Sequence, residues 1–201
     1  MGLARSVLIW SGLAMALLVP MAVAATSPLL EWRQPVYIAA GFAGVVGLAL
    51  LLVQPLLAGG YLPGIALRRS RWLHRLFGIG LVAAVGIHVA GLWITSPPDV
   101  VDALLFRSPT PFSVWGVVAM WAVFAVAVLA AFRRSIRMAL WRRLHLLLTM
   151  LIVAGTVVHA VLIEGTMGVV SKAALCALVI VAASKIAVDK HTWLFPTRSK
   201  V

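Results

Sequence analysis

The chain has a single cysteine, Cys176, only five acidic residues, and a charged fraction of 11% over 201 residues. A lone cysteine excludes an intramolecular disulfide and any cysteine-held iron–sulfur or zinc site. The shortage of charge excludes an ordinary soluble domain, which is roughly a quarter charged and about half apolar. Here 63% of the residues are hydrophobic and the mean hydropathy is +1.09. A soluble protein of this size could not cover so much apolar surface. Also missing is a glycine-rich dinucleotide fingerprint after a strand, so no such nucleotide site is expected.

The net charge of +12 does not mark a nucleic-acid binder. The basic residues gather in short runs between long apolar segments, which is how orientation is written in a membrane protein. About 20 mostly apolar residues cross the hydrocarbon core as a helix. Six stretches qualify: Val7–Ala25, Val36–Leu57, Trp72–Thr95, Val114–Phe132, Leu144–Ile163 and Val169–Val188. Pro28, Gly59-Gly60, Pro63-Gly64, Pro97-Pro98, Pro109 and Pro111 mark most of the breaks between them. Lys172 and Lys185 lie inside the last stretch and are expected to snorkel towards the two surfaces. The 16 residues from Ser96 to Pro111 form the longest connection and are expected to be a solvated loop, with Asp99, Asp102 and Arg107 the groups that could touch an acceptor. The expected fold is an all-α membrane protein, one six-helix transmembrane bundle over residues 1–201.

One side of the membrane collects Arg5, Arg68, Arg69, Arg71, Arg75, Arg133, Arg134, Arg137, Arg142, Arg143, Lys185, Lys190, Arg198 and Lys200. The other has only Arg33, Arg107 and Lys172, with the acids Glu31, Asp99, Asp102 and Glu164. This asymmetry places both termini in the cytoplasm, as expected of a multi-pass protein of a bacterial inner membrane. The first stretch, with Arg5 before it and the small residues Ala22, Ala24 and Ala25 at its end, also reads as a secretory signal peptide. Its length favours an uncleaved helix, and the later topology is the same either way.

Four of the five histidines form a pattern. His74 and His88 lie in the third stretch, His145 and His159 in the fifth, and each pair is fourteen residues apart. Fourteen helical steps are just under four turns, so both imidazoles of a helix share a face, with about 21 Å of rise between them. The third and fifth helices run in the same direction, because two crossings separate them. They therefore present two histidine pairs at two depths, and each pair suits bis-imidazole ligation of one haem iron. A single intramembrane histidine is as readily a polar group bonded to a neighbouring helix; the repetition favours ligation. Zinc fits less well, since no third or fourth ligand lies near either pair. His191 falls in the polar tail and reads as solvated.

Other residues bear on this reading. Gly78, Gly86, Gly91 and Gly155 stand near the histidines, where they could admit a flat macrocycle or serve ordinary helix packing. Gly41, Gly44 and Gly47 carry the same two readings, with packing favoured. Arg75, Arg142 and Arg143 lie beside the inner pair and could bind haem propionates or simply set orientation. Trp72, Trp93, Trp115 and Trp141 stand near the ends of the apolar stretches, where tryptophan anchors helices at the interface.

The segments Arg71-Trp72-Leu73-His74-Arg75 with His88, and Trp141-Arg142-Arg143-Leu144-His145 with His159, resemble the ferric reductase-like transmembrane domain. That family includes the membrane parts of ferric reductases and NADPH oxidases, and the haem membrane subunit of the periplasmic methionine sulfoxide reductase system. The resemblance runs from about Pro35 to Gly165. It implies a six-helix bundle with two b-type haems, on His74 with His145 and on His88 with His159, and electron flow from the cytoplasmic to the outer face. No flavin- or nicotinamide-binding domain follows the sixth stretch, so a separate cytoplasmic flavin reductase or a membrane quinol is the expected donor. The expected function is a two-haem electron conduit, the membrane component of an oxidoreductase, delivering to an acceptor outside. The alternative is a non-redox transporter or assembly factor with proton-, metal- or structure-bearing histidines. A quinone-linked cytochrome b of another bundle family commonly spreads its ligands over more helices.

Overall fold

A computed structural model describes residues 2–194, with side chains to Asp189. The readings made for Lys190 and His191 concern side chains outside that description, and Arg198 and Lys200 lie outside the described residues. Among the described residues the chain is all helical: α1 (Leu3–Ala25), α2 (Pro35–Gly59), α3 (Leu67–Thr95), α4 (Pro97–Leu104), α5 (Pro111–Ala131), α6 (Met138–Leu162) and α7 (Val169–Leu194). Short 3-10 turns at Pro28–Leu30 and Arg133–Ser135 complete it. Six of these helices are long and apolar enough to cross a membrane, and they correspond one to one with the six expected stretches.

Several boundaries extend past the apolar runs. α3 starts at Leu67 rather than Trp72, and α6 at Met138 rather than Leu144. Arginine is a good helix former, and the backbone outside the hydrocarbon gains nothing by unwinding, so the basic segments continue the helices into the interface. α2 ends where Gly60 takes a left-handed conformation (φ 67°) and caps the carbonyls of Leu56 and Leu57.

The expected loop from Ser96 to Pro111 is half helix, a departure from the sequence reading. α4 starts on Pro97, whose fixed φ suits the first helical turn, and Asp99 in that turn complements the helix dipole. Eight residues are too few for a periodicity to stand out from a polar connection. Lys172 also departs from expectation. Rather than snorkelling to water it is buried, 8% exposed, and its Nζ donates to the carbonyl of Ile163 at 2.6 Å. Ile163 follows the last turn of α6, where carbonyls have no helical partner, so the amine closes that end of the helix. Lys185 does stay exposed, paired with Asp189 at 3.1 Å and lying over the Tyr61 ring.

α2, α5, α6 and α7 meet in the central core, through Leu48, Leu51, Leu52, Ala122, Val123, Ile152, Leu175 and Val179. In lipid the tails are as apolar as leucine, so association rests on close packing rather than on escape from water. Small residues supply it. A Cβ on Gly91 of α3 would lie 2.7 Å from Cβ of Ala40 on α2, and one on Gly155 of α6 would lie 3.1 Å from Cβ of Ala119 on α5. α3 thus seats on α2 and α6 on α5, giving two helix pairs of the same construction.

At the arginine-rich end of the bundle the N-terminal part of α1, the α2–α3 connection and the end of α7 come together. The Trp10 indole donates to the carbonyl of Pro63 at 3.2 Å, and Tyr61 donates its phenol hydrogen to Asp189. Burial, then the hydrogen bond and negative charge of Asp189, push the Tyr61 phenol up to about 12. It therefore stays protonated, and a donor, through the physiological range.

Candidate functional site

The site is built from the two helix pairs. α3 and α6 are parallel, with His74 beside His145 at one level and His88 beside His159 at the other. The ring centroids are 6.3 Å apart in the first pair and 6.5 Å in the second, with planes crossed at 77° and 80°. A metal ion bonded at roughly 2 Å by both Nε2 atoms, each about 1.1 Å from its ring centre, would hold the centroids about 6.3 Å apart. Both pairs therefore have the spacing of two imidazoles sharing one ion.

The other ring nitrogen decides which nitrogen is free to ligate. Nδ1 of His88 lies 2.7 Å from the carbonyl of Ala40, and Nδ1 of His159 lies 2.9 Å from that of Phe112. Nδ1 of His74 lies 3.2 Å from the carbonyl of Gln54. A carbonyl only accepts, so each of these nitrogens carries the proton and leaves Nε2 as the acceptor. The imidazoles come from α3 and α6, but α2 and α5 aim them.

At the level of His88 and His159 this support is repeated almost atom for atom. The accepting carbonyls stand 48 and 47 positions before their histidines. Four residues after each carbonyl is a glycine, Gly44 and Gly116, on which the imidazole rests. A Cβ there would come within 3.0 Å of Nδ1 of His88 or 2.7 Å of Nδ1 of His159. Gly44 is thus a seat for the His88 imidazole rather than the packing glycine expected, and Gly116 is a seat for that of His159 that sequence reasoning passed over. Gly91 and Gly155 pack helices, Gly78 makes ordinary contact with Gln54, and Gly41 and Gly86 have nothing close. Gly47 is in ordinary contact with Leu81.

The level of His74 and His145, nearer the arginine-rich end, breaks the repeat. Among the described residues Nδ1 of His145 is buried without a hydrogen-bond partner, and its ring instead stacks on Trp141, centroids 4.9 Å apart and planes within 10°. The guanidinium of Arg133 covers that indole at 4.7 Å. The tryptophan expected to be an interface anchor is thus in contact with a candidate ligand. Arg75, Arg142 and Arg143 are all exposed at this end. Arg142, three positions before His145, is about 60° from its face of α6, whereas Arg143 is about 160° away and points to the far side.

Among the described residues no cluster of three or more His, Cys, Asp or Glu is assembled. Each level therefore offers two nitrogen donors, one from either side. That donor set fits a metal whose remaining positions are filled in a plane by a macrocycle, and does not fit a tetrahedral zinc site.

No curated protein and no solved structure matches the chain. A family model described as the ferric reductase like transmembrane component matches residues 43–156, a span holding His74, His88 and His145 and ending three residues before His159. With more than half its length matched and six apolar helices to hold the site, this chain belongs to the ferric reductase-like transmembrane family.

Proposed function

We propose that the protein is a transmembrane b-type cytochrome that passes electrons through two haems, one held by His74 and His145 and the other by His88 and His159. The observation that carries this reading is the pair of matched centroid separations, 6.3 and 6.5 Å, on two parallel helices. Bound haem supplies reversible one-electron chemistry. The chain supplies four imidazoles, three of them with Nδ1 tied to a backbone carbonyl so that Nε2 is presented for ligation. Arg75 and Arg142 offer positive charge to the propionates of the inner haem, with Arg143 on the opposite face of α6.

In this reading the arginine-rich end is cytoplasmic by the charge asymmetry of the loops. Electrons enter there from a separate flavin reductase or a quinol and leave for an acceptor outside. The protein is then the haem component of an oxidoreductase in a bacterial inner membrane. Transport draws no support: α3 and α6, which carry the histidines, run unbroken by proline across the span.

Purification in detergent, reduced-minus-oxidised spectra and haem quantification test this directly. Two low-spin b-type haems per chain are expected. A colourless protein produced with haem in excess overturns the reading.

A further inference from the structure

The four histidines sit in two helix pairs of like construction, so each position near one inner histidine has a counterpart near the other. Ser70 stands four positions before His74, and Trp141 stands four before His145. A residue four positions earlier lies one turn away on the same helix face, here toward the arginine-rich end. The two counterparts are treated very differently. Ser70 is fully buried and its hydroxyl donates to the carbonyl of Leu57 at 2.7 Å, so its polarity is used up within the protein. Trp141 stacks on the candidate ligand, and its buried indole N–H has no acceptor among the described residues. An unpartnered buried donor is costly, and tryptophan is a donor only, so what it lacks is an acceptor.

No described residue supplies that acceptor, which points to something bound at this level, on the side nearer the arginines. We propose that the Trp141 indole N–H binds a carboxylate side chain of the haem held by His74 and His145. Trp141 is then a positioning residue, which sets the way round in which that haem is seated. This rests on the two-haem reading above. Three further observations agree with an anion here. Arg133 covers the indole face. Arg71 and Arg142 each stand three positions before an inner histidine, close to the same face. The outer level has no such group: both its Nδ1 atoms are bonded to carbonyls, and none of the unpartnered buried side-chain atoms among the described residues belongs to it.

The test is Trp141→Phe, which keeps an aromatic ring for the stack and removes only the N–H. Haem content should stay at the wild-type value. The resonance-Raman propionate bending band of one haem should move to lower frequency, and that haem's midpoint potential should fall, because a less compensated carboxylate favours ferric iron. Trp121→Phe, at an exposed site on α5, should change neither. The same comparison made with etiohaem, which carries alkyl groups in place of the carboxylate side chains, separates the hydrogen bond from the stack. With etiohaem, W141F and wild type should have the same potential. A W141F effect that persists with etiohaem overturns the proposal, as does a W141F protein that holds two haems and is spectrally identical to wild type. If W141F fails to accumulate, ultraviolet resonance Raman of the wild type decides. The indole N–H band should differ between haem b and etiohaem, and an unchanged band overturns the assignment. A wild type with no haem at all removes the two-haem reading itself, an outcome distinct from each of these.

Discussion

Replacing His88 and His159 together with alanine is expected to leave one haem per chain, with the spectrum of the inner level intact. Replacing His74 and His145 should give the reciprocal result. The levels are separate because each pair meets across the bundle at its own depth, and the supporting carbonyls of Ala40 and Phe112 are not shared with the inner pair. Either double variant should abolish electron transfer across reconstituted vesicles, since removing one level adds about 21 Å, roughly two thirds of the hydrocarbon core, to the distance an electron must cross. Haem quantification reads the first effect and dye reduction across the vesicle wall the second. Two haems retained in the His88→Ala, His159→Ala protein would show that the pairing is wrong.

Gly116→Ala is the second large effect, and it involves no ligand directly. A methyl group at this position would lie 2.7 Å from Nδ1 and 2.9 Å from Cε1 of His159. The ring cannot retreat without stretching its 2.9 Å bond to Phe112. Forcing extra volume into such a site costs about 1–3 kcal/mol, or roughly 5- to 150-fold in retention of the haem. Gly44→Ala, with its closest approach at 3.0 Å to Nδ1 of His88, should cost less. Gly86→Ala has nothing within 4 Å and should cost nothing at this level. Haem transfer to an apoprotein scavenger ranks the three. Equal loss in Gly86→Ala and Gly116→Ala would mean that the seat plays no part.

Much of this architecture could be read from the residues, and what could not follows a physical rule. The six spans were legible because each is a continuous apolar run, and lipid permits little else of that length to cross it. The facing of His74 with His145 and of His88 with His159 followed from equal spacing and parallel direction, which are properties of single helices. What remained hidden depends on how helices sit on one another. Gly44 and Gly116 became seats only once α2 was packed on α3 and α5 on α6 in a definite register, which fourteen-residue spacing does not encode. Trp141 read as an anchor because it lies at the end of an apolar run, and its stack on His145 shows only when the rotation of α6 is known. Lys172 read as a snorkelling lysine because one sequence does not reveal that the last turn of α6 ends beside it. α4 was too short to signal itself.

The fourteen-residue interval has an electrical consequence. Two histidine levels about 21 Å apart along helices of 1.5 Å rise span roughly two thirds of a hydrocarbon core about 30 Å thick. A full crossing by one elementary charge is worth about 2.3 kcal/mol per 100 mV, so a transfer between the levels would sense about 1.6 kcal/mol for every 100 mV. In a cell whose interior is negative, an electron moving outward runs with that field. In energised vesicles this would appear as a voltage-dependent shift in which level stays reduced, so with a haem at each level the spacing of four histidines would make the protein respond to the membrane voltage.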